Sequence, residues 1–200
     1  VSDAYSIVIL AGGRAKRLPG KLQAEFGGTT LLARVIENLK PLGAEIVLSI
    51  DADFDPAVAE ELGIRTVVDV TPERGPVAAL ASTIATVGTP YFFAAPGDAP
   101  FVDASFVTSL ALARRDGDEA VVAFEGDAPL GRLHPLPAFY ERAAFIRAAR
   151  KALATEKPSL HAVLGTLAVR RVAFPDGDLR LLNVNTSEDL ESAKRKIEPI

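Results

Sequence analysis

The 200-residue sequence contains no cysteine, no methionine and only two histidines. Without cysteine there is no disulfide, no thiolate metal site and no sulfur nucleophile. His134 and His161 do not cluster with carboxylates, which argues against a transition-metal site. The serines show no nucleophile elbow, so a Ser–His–Asp hydrolase is not indicated. An excess of positive charge is missing too: 22 Lys and Arg face 26 Asp and Glu, for a net charge of -4. General nucleic-acid affinity, which needs a basic surface, is therefore not indicated. The opening "VSDAYSIVILAGG" has no basic leader, and its apolar run is too short for a signal peptide or a membrane span. A cytoplasmic protein is expected, and the absence of methionine suggests a chain that starts without its initiator.

What remains is the balance of a globular protein, 48% hydrophobic and 24% charged. The length suffices for one sizeable core, and with no repeat, low-complexity tract or linker a single domain over 1–200 is expected. Short apolar runs alternate with segments of helical period. Strands are predicted at 6–11, 45–50, 65–69, 91–95 and 119–124. Helices are predicted at 29–40, 56–62 (Asp55 as N-cap, Pro56 at N1), from Gly75-Pro76 to about 87, and 103–115 with Asp103 as N-cap. Beyond 125 the pattern loosens into a short extended "LHPLP", a long helix at 138–153, a short helix at 159–165 and a strand within "TLAVRRVAF". A closing helix follows Thr186, with Asp189 three residues on. Alternation of strand and helix predicts an α/β fold with a parallel sheet covered on both faces, a three-layer arrangement.

Four stretches carry chemistry. "LAGGRAKRLPGK" (10–21) places Gly12-Gly13 and then Arg14, Lys16, Arg17 and Lys21 after the first strand. It fits neither G-x-x-x-x-G-K-[ST] nor G-x-G-x-x-G. A glycine pair at a strand's carboxyl end followed by four cations still suits a polyanion such as a triphosphate, against the plainer reading of a solvated basic loop. "AAPGDAPF" (94–101) sets Asp98 in a tight turn at the same sheet edge. There it is either a Mg²⁺ ligand facing bound phosphates or a turn carboxylate satisfying local amides. "VVDVTPERGPVAAL" (67–80) ends a strand on Asp69, whose carboxylate matches the N1–H and N2–H₂ edge of guanine, and Gly75-Pro76 opens a helix N-terminus nearby. A solvated loop aspartate is the alternative. "NVNT" (183–186) puts Asn185 just before a helix start, where it can complete a metal or phosphate shell beside ordinary capping by Thr186.

Together "LAGGRAKRLPGK", "GPVAAL", "PGDAPF", "HPLPAFY" and "NVNTSEDL" resemble the molybdenum cofactor guanylyltransferases, within the MobA-like nucleotidyltransferases, over nearly the whole chain. The resemblance implies a Rossmann-like three-layer α/β/α sandwich of the nucleotide-diphospho-sugar transferase type, with a mostly parallel sheet. It implies transfer of GMP from GTP to a phosphorylated acceptor, molybdopterin or its molybdenum-loaded form, with Mg²⁺ as cofactor and loss of pyrophosphate. By matching position, Leu10, Ala11, Gly12 and Gly13 would meet the nucleotide through backbone groups, beside Arg14. Arg17 and Lys21 would neutralise the triphosphate, Asp69 would read guanine beside Gly75, Asp98 would hold Mg²⁺, and Asn185 would lie near the second substrate and the metal. The loop departs from the family pattern R-M-G-x-x-D-K: "RLPGK" is two residues shorter and has no Asp before Lys21. Ala15, Ser49 and Asp51 stand where the family often has Ser, Asn and Asn. Within the same class the acceptor alternatives are a cobinamide phosphate, a sugar phosphate, phospholactate or a cytidylated pterin. Outside it stand a non-catalytic nucleotide-binding relative and, through Asp51-Ala52-Asp53, a glycosyltransferase.

Overall fold

The computed structural model describes residues 4–12, 18, 20–71, 74–126 and 131–197. In chain order the strands are β1 (Tyr5–Leu10), β2 (Glu25–Phe26), β3 (Thr29–Thr30), β4 (Ile46–Ile50) and β5 (Arg65–Val68), then β6 (Tyr91–Pro96), β7 (Ala120–Glu125), β8 (Arg132–Glu141) and β9 (Val169–Phe174). The helices are α1 (Leu31–Leu39), α2 (Pro56–Leu62), α3 (Pro76–Ile84), α4 (Ala104–Ala113), α5 (Arg142–Leu153), α6 (Leu160–Leu164) and α7 (Ser187–Lys194). Seven strands form one sheet in the order β5-β4-β1-β6-β8-β7-β9, while β2 and β3 make a separate two-stranded hairpin. Within the large sheet β8 runs antiparallel to both its neighbours and every other pairing is parallel.

The central strands read as unbroken apolar runs because both of their faces are covered. Alternation along β1 sends Ile7 and Ile9 to one side, with Leu48, Phe93 and Val121, against α1, α2 and α4. Val8 turns to the other side, with Val47, Phe92 and Val122, against α3, α5 and α6. Helix α1 shows the packing that drives this: Leu32, Val35, Ile36 and Leu39 recur at helical spacing and are all fully buried. Each contributes roughly 1.5–3 kcal/mol relative to an exposed side chain. A third cluster of Phe26, Leu31, Val184, Leu190 and Ala193 seats α7 on the β2–β3 hairpin.

The expected N-caps are in place. Asp55 accepts from the Ala57 amide at 3.0 Å and Asp103 from the Phe106 amide at 2.8 Å. Thr186 and Asp189 form a reciprocal capping box at the start of α7. The N-terminal boundary of α1 moves inward, because Thr29 and Thr30 pair with β2 and the Thr30 hydroxyl caps the helix through the Ala33 amide. Helix α3 stops at Ile84 rather than near 87.

The largest correction concerns 138–141, expected to be helix and found to be strand. Ala138, Phe139 and Tyr140 pair with Ala94, Phe93 and Phe92 of β6 on one side and with Val122, Val121 and Ala120 of β7 on the other. Phe139 turns into the first face of the core and Tyr140 into the second. Burial in a central strand position thus overrides the helical preference of the alanine-rich stretch. Glu141 then caps α5 by accepting from the Ala143 and Ala144 amides.

Parallel β1, β4, β5, β6, β7 and β9 all end at one edge of the sheet. Antiparallel β8 begins there, so Arg132 and His134 join the ends of the other strands.

Candidate active site at the carboxyl edge of the sheet

Where β6 ends, the Gly97 amide donates to the Leu10 carbonyl at 2.9 Å. A Cβ on Gly97 would lie 2.8 Å from that same oxygen, so only glycine lets the turn close on β1 and deliver Asp98 to the edge. The Asp98 carbonyl accepts from the Val184 amide at 2.8 Å, which draws the 183–186 segment alongside. From the opposite direction, a short turn of helix over Lys21–Gln23 follows Gly20, whose φ of 69° is left-handed. Its Lys21 ammonium ion-pairs with the Asp98 carboxylate, donates to the Val184 carbonyl at 3.2 Å and reaches the Asn185 Oδ1 at 3.4 Å. Both members of the ion pair are largely buried, each side chain 15% exposed. Asn185 is itself held by its amide, which donates to the Asp189 carboxylate at 2.9 Å. Beside it, the Oδ1 atom of Asn183 is buried and accepts no hydrogen bond among the described residues.

Three sequence-expected residues, Lys21, Asp98 and Asn185, therefore form one cluster. The donor set suits a hard cation: a carboxylate, a backbone carbonyl and an amide oxygen, already arranged around a positive charge. No three His, Asp or Glu side chains gather among the described residues. A Mg²⁺ ion here would take Asp98 and neutral oxygens, with phosphate oxygens and waters completing its shell, which is that ion's usual habit.

Asp69 stands at the end of β5, three interstrand spacings (~14 Å) from β6 along the same edge. It is buried, at 6% exposure, rather than solvated. Its amide donates to the Ile50 carbonyl at 2.7 Å, and its Oδ1 accepts from the Thr71 amide at 2.9 Å and from the Thr71 hydroxyl at 3.4 Å. Both contacts fall on Oδ1, and Oδ2 has no hydrogen bond among the described residues. Gly75 takes a left-handed φ of 72° at the start of α3 and holds Pro76 at N1. Ser49, buried beneath α3, donates to the Ala79 carbonyl at 3.3 Å and so braces that helix.

The opening loop is described only at its flanks: Gly13, Arg14 and Arg17 lie outside the described residues. Leu10 and Ala11 are committed to the sheet, Leu10 through its carbonyl to Gly97 and Ala11 through its amide to the Ser49 carbonyl at 2.8 Å. Those two groups build the floor of the site. Gly12 is glycine because a Cβ would sit 2.8 Å from the Asp51 nitrogen at the end of β4.

At the other end of the edge lies a cavity of about 340 Å³, walled by Glu125, Arg132 and His134 from the sheet, Asp189 and Ser192 from α7 and Lys196 just beyond that helix. His134 Nε2 lies 2.9 Å from the Glu125 carboxylate, whose other oxygen accepts from the Gly177 amide at 2.8 Å. The Gly177 amide, with His134 assisting, holds the Glu125 carboxyl below the usual range despite its burial. This pair escaped the sequence reading. Only recognising 120–141 as a hairpin would have set Glu125 diagonally opposite His134, which pairs with Ala123 while Glu125 pairs with Arg132.

With that geometry in hand, comparison with known proteins is decisive. The family model for the MobA-like NTP transferase domain matches residues 7–172. The chain belongs to the MobA-like NTP transferase family. The molybdenum cofactor guanylyltransferase of Rhizobium meliloti is 34% identical over 201 residues, covering 94% of this chain and 89% of that one. Among solved structures, the 4-diphosphocytidyl-2C-methyl-D-erythritol synthase of Anaerococcus prevotii superposes with a TM-score of 0.81 at 16% identity, covering 98% and 99% of the two chains. Molybdopterin-guanine dinucleotide biosynthesis protein A of Archaeoglobus fulgidus gives 0.73 at 22% identity, covering 96% and 97%. At those identities the two structures attest the fold of the family: a mostly parallel sheet between helical layers. No helix among the described residues is long and apolar enough to cross a membrane.

Proposed function

We propose that this member of the family is a cytoplasmic, single-domain guanylyltransferase that moves GMP from GTP onto molybdopterin and releases pyrophosphate, with Mg²⁺ as its metal. The observation that carries the proposal is the meeting of Lys21, Asp98 and Asn185 on the same sheet edge as the buried Asp69 carboxylate. The names of the curated relatives support the choice of nucleotide and acceptor.

A GTP laid along the strand ends places guanine at Asp69, where Oδ2 accepts from the N1–H and N2–H₂ edge. Its phosphates then run toward Lys21, whose ammonium neutralises the charge that builds on the departing pyrophosphate. Asp98, with the carbonyl oxygens of Val184 and Asn185, would hold Mg²⁺, which supplies charge neutralisation and alignment of the phosphates when bound. An oxygen of the acceptor's phosphate attacks the α-phosphorus, and the bond to the bridging oxygen of the β-phosphate breaks. A phosphate monoester is already anionic, so no general base is needed, and positioning does most of the catalytic work. The 340 Å³ cavity receives the rest of the acceptor. With Nε2 engaged by Glu125, the other ring nitrogen of His134, which has no hydrogen bond among the described residues, would bond the acceptor.

Pyrophosphate release measured across GTP, CTP, ATP and UTP, with and without molybdopterin, tests the assignment. Release is expected only with GTP and molybdopterin together, and equal rates with all four nucleotides would refute it. Asp69→Asn keeps the turn through Oδ1 but removes the charge. It should cost about ten- to a hundredfold in kcat/KM for GTP, the worth of a charge-assisted hydrogen bond. His134→Ala should raise KM for molybdopterin about tenfold and leave KM for GTP unchanged. A change confined to GTP would remove the cavity from the acceptor's path.

A further inference from the structure

The oxygens that suit a metal already surround a cation that belongs to the protein. Lys21 Nζ is ion-paired with Asp98, 3.2 Å from the Val184 carbonyl and 3.4 Å from Asn185 Oδ1. We infer that Lys21 is a place-holder for the divalent cation: its ammonium and the metal compete for the same three oxygens, and a nucleotide triphosphate resolves the competition by giving Lys21 another anion. The inference rests on the metal and triphosphate roles proposed above, and adds an order to them. Metal without nucleotide is excluded, and nucleotide and metal enter as a pair.

The physical grounds are local. Asp98 is largely buried, and a carboxylate taken from water without a partner is costly, so the lysine satisfies it until the metal does. Lysine suits the exchange better than arginine, having a compact charge on a flexible four-carbon stem that can turn from one anion to another without moving its backbone. The backbone here is well anchored. The Lys21 amide donates to the Leu18 carbonyl at 3.2 Å, and its carbonyl accepts from Ala24 at 3.1 Å. The oxygens on the other side are also fixed, Val184 through its amide to the Asp98 carbonyl and Asn185 through Asp189. The side chain of Lys21 is therefore the part free to move. When it swings to a phosphate, it vacates all three oxygens at once and leaves them facing the same triphosphate.

Mn²⁺, followed by electron paramagnetic resonance, reports metal binding without turnover. Titrations of nucleotide-free wild type, Lys21→Ala, Lys21→Gln and the double variant Lys21→Ala/Asp98→Ala separate the outcomes. Both single variants should bind one Mn²⁺ about tenfold or more tightly than wild type, by removing a competing charge. That gain should vanish in the double variant. Lys21→Gln keeps a hydrogen-bonding side chain beside Asp98, so it carries the test should the alanine variant melt early. Equal affinity of wild type and both single variants, including no detectable binding to any, overturns the place-holder role. A gain that survives the loss of Asp98 overturns it too. Wild type with GTP should form a ternary Mn²⁺ complex, detected as enhanced water-proton relaxation. Its absence would count against the proposed metal site itself, and so is distinguishable from a failure of the exchange.

Discussion

Asp98→Asn should lower pyrophosphate release by about a thousandfold, the scale set by removing a group that stabilises charge in a transition state. The substitution is nearly isosteric. The turn it occupies is built from backbone groups that the change leaves alone: the Gly97 amide on the Leu10 carbonyl, and the Val184 amide on the Asp98 carbonyl. The melting temperature should therefore move by only a few degrees, as expected for about 1 kcal/mol. What changes is the chemistry. Lys21 loses the carboxylate it is paired with, and the three-oxygen set loses its one formal charge. Because guanine recognition is assigned to Asp69 at the far end of the edge, KM for GTP should change much less than kcat. Release close to the wild-type rate, in protein of normal melting temperature, would remove Asp98 from the mechanism. A collapse of GTP binding equal to the fall in kcat would make it an anchor for the nucleotide rather than for the transition state.

The parts of the fold that could be read from sequence are those in which local and global demands agree. Continuous apolar runs made β1, β4 and β6 legible, and Asp55, Asp103 and Thr186 marked helix starts through chemistry confined to four residues. Strand β8 was not legible, because the alanines around Phe139 favour a helix and only its neighbours β6 and β7 demand a strand. The site divides in the same way. Lys21, Asp69, Asp98 and Asn185 stood out by their motifs, which set them at one sheet edge, but the direct contact of Lys21 with Asp98 and Asn185, 77 and 164 residues away, is visible only in the fold. The glycines show how one residue type serves different needs. Gly12 was a candidate for close approach to a ligand, whereas the atoms that exclude a side chain there, as at Gly97, are the protein's own, at Asp51 and Leu10.

Phe145→Ala should reduce the free energy of unfolding by roughly 3–5 kcal/mol, the usual cost of emptying a buried phenylalanine site. Phe145 is fully buried on α5 and lies edge-on to both Phe92 (5.2 Å between ring centres) and Tyr140 (5.0 Å). Phe92 and Tyr140 are themselves stacked at 5.5 Å across β6 and β8. This triangle holds the residues that propensity alone would have coiled into α5, so its loss falls on the junction between β8 and α5. Collapse around the gap is limited, since two of the three rings are pinned by the sheet. Tyr140 is fixed further by its hydroxyl, which donates to the Pro135 carbonyl at 2.6 Å. Burial pushes its phenol above the usual range. Tyr140→Phe should cost less, about 1–3 kcal/mol for the carbonyl left without its donor. That smaller change acts next to His134, and should disturb the acceptor cavity out of proportion to its cost in stability. Urea unfolding of both variants, read with KM for molybdopterin, separates the effects: Phe145→Ala chiefly lowers the midpoint, Tyr140→Phe chiefly raises KM. A loss below about 1 kcal/mol for Phe145→Ala would mean that the triangle is not what keeps 138–141 in the sheet.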